Sequence, residues 1–262
     1  MTDKDIVFIT TTLHSKWLDY QKDIIKNLFP ESKHLIINGR QNWPYAWFYW
    51  IDEIRKIPCK WFVHIDEDCF IEDKEELIRL IQKMEDEGYS LSAVSDGFHH
   101  YRGANGTAIN SFLMVGKKED LVKLSFDYKD IEFSFDGKGW KNNKNINFDT
   151  VKHTHEFAYP HEKMENGEDS SYEQEPYYAL LWKLREDGKK FYYLYPKFDE
   201  KFKSTNPRID KDSKDIAIHM WYTRHWSSHM DVHGLPNVER YRMIEDYLLE
   251  THKYLNKSNA FF

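Results

Sequence analysis

A chain of 262 residues is long enough for one large α/β domain or two small ones. Its formal net charge of -7 argues against a protein built mainly to grip nucleic acid, because phosphate binding draws on clustered Lys and Arg. Cys59 and Cys69, the two cysteines, lack Cys-x-x-Cys spacing, so neither a disulfide framework nor a thiolate zinc site is implied and a reducing cytoplasm fits.

The first residues, Met1 to Asp5, lead straight into a strand and lack the apolar core of a signal peptide. No apolar run approaches the roughly 20 residues of a transmembrane span. Ile6–Ile9 reads as a short buried strand, closed by the hydroxyls of Thr10, Thr11 and Thr12. A helix then runs to about Leu28, since Trp17, Leu18, Ile24, Ile25 and Leu28 recur with helical spacing and Pro30 ends it. Leu35–Ile37 is the second strand, and Asn38-Gly39-Arg40 the turn after it.

A second helix is expected from Pro44 to Ile57, through Trp47, Trp50, Ile51 and Ile54, stopped by Pro58. Next comes a strand from Trp61 to Ile65 that runs into Asp66-Glu67-Asp68. Glu72 to Glu76 opens a third helix with acidic residues suited to its dipole, and Gly88 closes it. The alternation of strand and helix over the first ninety residues predicts a doubly wound, mostly parallel sheet. In such sheets ligands gather at the carboxyl ends of strands, where the threonines, Asn38 to Arg40 and the acidic trio all fall.

Asp96 to Ala108 reads as loop, Ile109 to Val115 as a strand, and Gly116 to Glu119 as the start of a helix. From Asp127 to Gly167 periodicity is poor, which predicts a long excursion over the site. A helix with Tyr178, Leu180, Leu181 and Leu184 follows, then a strand Phe191–Tyr195 stopped by Pro196. A polar link, Asp199 to Asp215, leads to the strand Ile216–Trp221, and a last helix spans Asn237 to Tyr254.

Three carboxylates at a strand end repel one another unless they are solvated or bound to a cation. Along an extended backbone Asp66 and Asp68 point one way and Glu67 the other, so the pair could share a hard divalent ion. His64 on the same strand reads as a hydrogen-bonded core histidine. His225, His229 and His233 stand at i, i+4 spacing, but Gly234 and Pro236 oppose a helix there and no Glu lies between the first two, so they read as solvated.

Taken in order, the alternating sheet, Asp66 and Asp68, the strand Asn110-Ser111-Phe112-Leu113-Met114-Val115, the acidic pair Glu168 and Asp169, and the late His219 and Trp221 resemble the GT-A class of nucleotide-sugar-dependent glycosyltransferases. The resemblance implies a single-domain, Rossmann-related mixed sheet flanked by helices, with a nucleotide-binding half over about 1–95 and an acceptor-binding half over 96–262. It implies a metal, Mn²⁺ or Mg²⁺, held by Asp68, Asp66 and His219, with the imidazole leaning the choice toward Mn²⁺. Thr10, Thr11, Asn38, Arg40, Trp43, Asp66, Asn110 and Arg224 would contact the donor, a UDP-sugar ahead of a GDP-sugar. Asp169, then Glu168, would serve as the base, with Glu173 and Glu175 open. The acceptor, whether glycan, protein or small molecule, with DNA disfavoured by the net charge, is left open. So are two other readings of the same residues: a metal-dependent nucleotidyltransferase or phosphohydrolase, and a non-catalytic sugar- or protein-binding module.

Overall fold

Ile6 to Thr10 are all buried, and strand β1 (Ile6–Thr12) therefore lies inside a sheet rather than at its edge. Strands β2 (Lys33–Asn38) and β3 (Trp61–Ile65) pair with it on either side, both parallel. This computed structural model describes residues 1–39, 48–96, 108–124, 177–221, 231–232 and 235–255.

Alternate side chains of β1 serve opposite faces, as the pleat requires. Ile6 and Phe8 join one core with helices α1 (Trp17–Leu28), α3 (Lys74–Glu87) and α6 (Asn237–Thr251). Val7 and Ile9 join a second core with α2 (Tyr49–Arg55), α4 (Lys118–Lys123) and α5 (Tyr178–Glu186). Helix α3 begins where the Asp73 side chain accepts the backbone N–H groups of Glu75 and Glu76, and it ends at Gly88 with φ +72. Trp50 is fully buried in the second core.

The remaining strands are β4 (Cys69–Ile71), β5 (Leu91–Val94), β6 (Leu113–Lys117), β7 (Phe191–Asp199), β8 (Ser204–Arg208) and β9 (Ala217–His219). Among the described residues the sheet has nine strands in the order β2-β1-β3-β6-β5-β7-β8-β9-β4. It is mixed and flanked by helices on both faces. It is not mostly parallel: β6 wedges between β3 and β5 and runs antiparallel to both, and β8, β9 and β4 add three further antiparallel neighbours. Alternation of elements along a chain gives their order but not which pair a later strand will enter. Strands β10 (Asp231–Val232) and β11 (Leu235–Pro236) form a separate small hairpin.

Three differences from the sequence reading shape the site. Cys69–Ile71 is a strand of its own, because the chain turns at residues 66–68 and the Cys69 N–H bonds back to the Asp66 carbonyl at 2.9 Å. Strands β3 and β4 thus stand far apart in the sheet order although three residues join them, a reach of only about 10 Å, so the sheet folds back on itself. The fold-back passes through β7, whose first half pairs with β5 and whose second half pairs with β8. Pro196 does not stop β7, since it faces Pro207 at a register where neither strand supplies an N–H. Strand β8, Ser-Thr-Asn-Pro-Arg, carries no apolar alternation and lies inside what the sequence presents as a polar link.

Candidate metal and donor site

The turn at residues 66–68 is fixed from several sides. The Asp66 N–H donates to the Phe112 carbonyl at 2.9 Å, and the Asp68 carbonyl accepts from the Met220 N–H at 3.0 Å. Gln21, buried on the inner face of α1, donates its side-chain amide to the carbonyls of Asp66 (2.5 Å) and Cys69 (2.8 Å). The Gln21 side-chain oxygen accepts from the Thr10 hydroxyl at 2.6 Å.

Strand β4 pairs with β9 in the register Cys69↔His219, which sets His219 beside the turn. His219 Nε2 lies 3.3 Å from Asp68 Oδ1. The ring stacks on Phe112 with centroids 4.2 Å apart and an interplanar angle of 6°, and Trp221 closes over it at 4.2 Å. Trp221 itself has φ +54 and donates its indole N–H to Thr205 Oγ1 at 2.9 Å. Behind it the fully buried Arg240 of α6 donates to the carbonyls of Met220 and Trp221, so the chain leaving β9 has one path.

One donor atom each from Asp66, Asp68 and His219 lies within 4.8 Å of the others. Two hard carboxylates and one imidazole are a donor set that fits Mn²⁺, and Mg²⁺ with a weaker nitrogen ligand. Buried His219 Nδ1 has no hydrogen-bond partner, so the ring is placed by stacking and by Asp68 alone. The Cys69 thiol beside this cluster is pushed well up, first by burial and then by the Asp68 and Asp66 carboxylates, and stays protonated. It offers no thiolate.

The other predicted residues fall in several places. Glu67 is buried and its carboxylate bonds to Thr12 and to the Ser15 N–H in place of joining the other two; the backbone there is a turn and not the extended strand that the alternation argument assumes. His64 is a core histidine: its Nδ1–H donates to the Ser111 carbonyl at 3.0 Å, and burial holds its pKa down to about 4. Thr10 is fully buried, bonded to Gln21 and to His34 Nε2 at 2.9 Å, and stands beneath the turn as a prop. Thr11 carries a buried hydroxyl with no partner, and Asn38 is half-buried at the end of β2, opposite Thr12. Asn110 donates to the buried Asp96 carboxylate at 2.5 Å and accepts from the Phe112 N–H at 3.1 Å. Arg40, Trp43, Trp47, Glu168, Asp169, Glu173, Glu175, Arg224, His225, His229, His233 and the stretch 127–167 lie outside the described residues.

Sequence reasoning misses Gln21 and Arg240. Gln21 and Arg240 did leave a signal, a polar side chain on the apolar face of an otherwise amphipathic helix, where an unpaired polar group is costly.

No protein-family model and no curated protein sequence matches the chain. Parts of it are similar in structure to solved proteins. A197 from STIV is 14% identical, with a TM-score of 0.38 over 47% of this chain and 69% of that one. A glycosyltransferase involved in the glycosylation of the major capsid of PBCV-1 is 15% identical, with a TM-score of 0.35 over 44% of this chain and 61% of that one. The mannosyltransferase PcManGT from Pyrobaculum calidifontis, solved with GDP-Man and Mn²⁺, is 12% identical, with a TM-score of 0.33 over 45% of each chain. The aligned part thus spans less than two thirds of both glycosyltransferases. No helix among the described residues is long and apolar enough to cross a membrane.

Proposed function

We propose that the protein is a glycosyltransferase that moves a sugar from a nucleoside diphosphate to an acceptor, with a divalent metal held by Asp66, Asp68 and His219. The observation that carries this reading is the convergence of those three side chains at the carboxyl end of the parallel strands β1, β2 and β3. Open α/β sheets bind their ligands at that edge.

A divalent ion at this place would neutralise the diphosphate and stabilise it as a leaving group. The protein's own contribution is placement. Asp68 and His219 are nearly buried and held by the β4–β9 register, so their donor atoms need little reorganisation on binding. Asp66 is more exposed than Asp68 and would meet the ribose or the metal's water shell. Thr11 and Asn38 at the ends of β1 and β2, together with Arg40, Trp43 and Arg224, complete the donor contacts in this reading. Asn110 and Thr10 act from beneath. The acceptor would be bound by residues beyond 96, including 127–167. In an inverting reaction its oxygen attacks the anomeric carbon as the bond to the diphosphate breaks, and Asp169 or Glu168 takes its proton.

Calorimetric titration with UDP and GDP in the presence and absence of Mn²⁺ tests the reading. Binding of one of them only when Mn²⁺ is present is the expected result. Neither nucleotide binding with Mn²⁺ present would contradict it.

A further inference from the structure

The middle residue of the acidic tripeptide is not among the three side chains of the candidate metal group, and its carboxylate reaches back to the loop before α1. Glu67 Oε2 accepts from the Thr12 hydroxyl at the end of β1 and from the Ser15 N–H at 3.2 Å. The Thr12 oxygen in turn accepts from the His14 N–H at 2.7 Å. These bonds span residues 13–16, between β1 and α1, where His14 sits in the left-handed region at φ +64. The hydroxyls of Thr11, just before the loop, and of Ser15, within it, are buried and have no hydrogen-bond partner. A polar loop is therefore held, with hydroxyls unpartnered, against the turn that carries Asp66 and Asp68.

We infer that Glu67 is a positioning residue that ties the β1–α1 loop to the metal-binding turn, so that nucleotide affinity depends on it while metal affinity does not. The inference rests on the transferase reading for its ligand but not for its geometry. A carboxylate between two metal ligands has a clear alternative, that of a third carboxylate on the ion. The geometry opposes it: Glu67 is not among the side chains whose donor atoms converge, its Oε2 is engaged by a hydroxyl and a backbone N–H, and a glutamine could accept both bonds as well.

Three variants separate these roles: Glu67→Ala, Thr12→Val and Glu67→Gln. Mn²⁺ affinity, measured by paramagnetic resonance without nucleotide, should stay within about threefold of the parent in all of them. Affinity for UDP or GDP with Mn²⁺ saturating should fall about tenfold in Glu67→Ala and Thr12→Val, the loss expected for about 1.4 kcal/mol of hydrogen bonding. Glu67→Gln should recover most of it. Amide exchange at residues 13–16 should speed up in the first two variants and not in the third, with exchange in β1 and β3 unchanged. Loss of Mn²⁺ binding in Glu67→Gln would overturn the inference by making Glu67 a ligand. Unchanged exchange at 13–16 in Glu67→Ala would overturn the tether. A parent that binds Mn²⁺ but no nucleoside diphosphate would sink the transferase reading and the nucleotide dependence with it, leaving the tether to be decided by exchange alone.

Discussion

Asp68→Ala should abolish metal-dependent nucleotide binding while leaving the protein folded. Asp68 is the carboxylate nearest His219, 3.3 Å from Nε2, and its removal leaves one half-exposed carboxylate and one imidazole. Loss of a charged ligand from a three-ligand set should weaken Mn²⁺ binding by about a hundredfold or more, given that even outer-shell partners are worth tenfold to a hundredfold. The fold should survive, because the bond that joins Asp68 to β9 uses its backbone carbonyl, and because a clustered acid in a metal-free site repels its neighbours. Mn²⁺ titration followed by paramagnetic resonance, with thermal melting alongside, checks both halves. His219→Ala should weaken Mn²⁺ less, since the two carboxylates remain.

Away from the site, Glu72→Gln should stabilise the protein at pH 8 and leave its stability unchanged at pH 4. Burial raises the Glu72 pKa from its ordinary 4.5 to about 7, the Tyr247 hydroxyl donates to it and opposes that rise, and Asp215 adds to it. His252 Nε2 stands 4.0 Å from its other oxygen. A carboxyl whose folded pKa lies above the unfolded one favours the fold while protonated. That contribution is fully present below about pH 4.5 and is lost as pH rises through about 7. The difference amounts to about 3 kcal/mol, at 1.36 kcal/mol for each step of one in pKa. Glutamine keeps an acceptor for Tyr247 and never ionises, so the gain over the parent should grow from near zero at pH 4 to about 3 kcal/mol at pH 8. Urea denaturation of both proteins across this range measures it. The comparison must be made against the parent at each pH. His34 and His64, with pKa values held near 4 by burial, act in the opposite sense. Stability due to them is present above pH 6.5 and is lost as pH falls toward 4.

The candidate site was legible in the sequence where chemistry and position coincide. Asp66 and Asp68 follow an apolar strand at the edge where parallel sheets bind ligands, and His219 ends another apolar strand; the structure brings these three side chains together. What stood between them was not legible. Cys69-Phe70-Ile71 is three residues long and takes its partner from 150 residues away, so nothing local marks it as the strand that carries Asp68 to His219. Strand β8 is held by neighbours and not by its own side chains, and the wedge of β6 between β3 and β5 depends on where the sheet has room. Gln21 and Arg240 belong to the same class. Each works on backbone carbonyls of a distant turn, a partner that no pattern along the chain identifies.

If these residues serve the release of a nucleoside diphosphate from a sugar, phosphorus NMR of the products will show it. The protein should be incubated with Mn²⁺ and a panel of UDP- and GDP-sugars, with Asp68→Ala as the control. Free UDP or GDP should form, only with metal and not with the variant. Nucleoside monophosphate with sugar phosphate would contradict it, showing cleavage between the phosphates in place of transfer from the sugar.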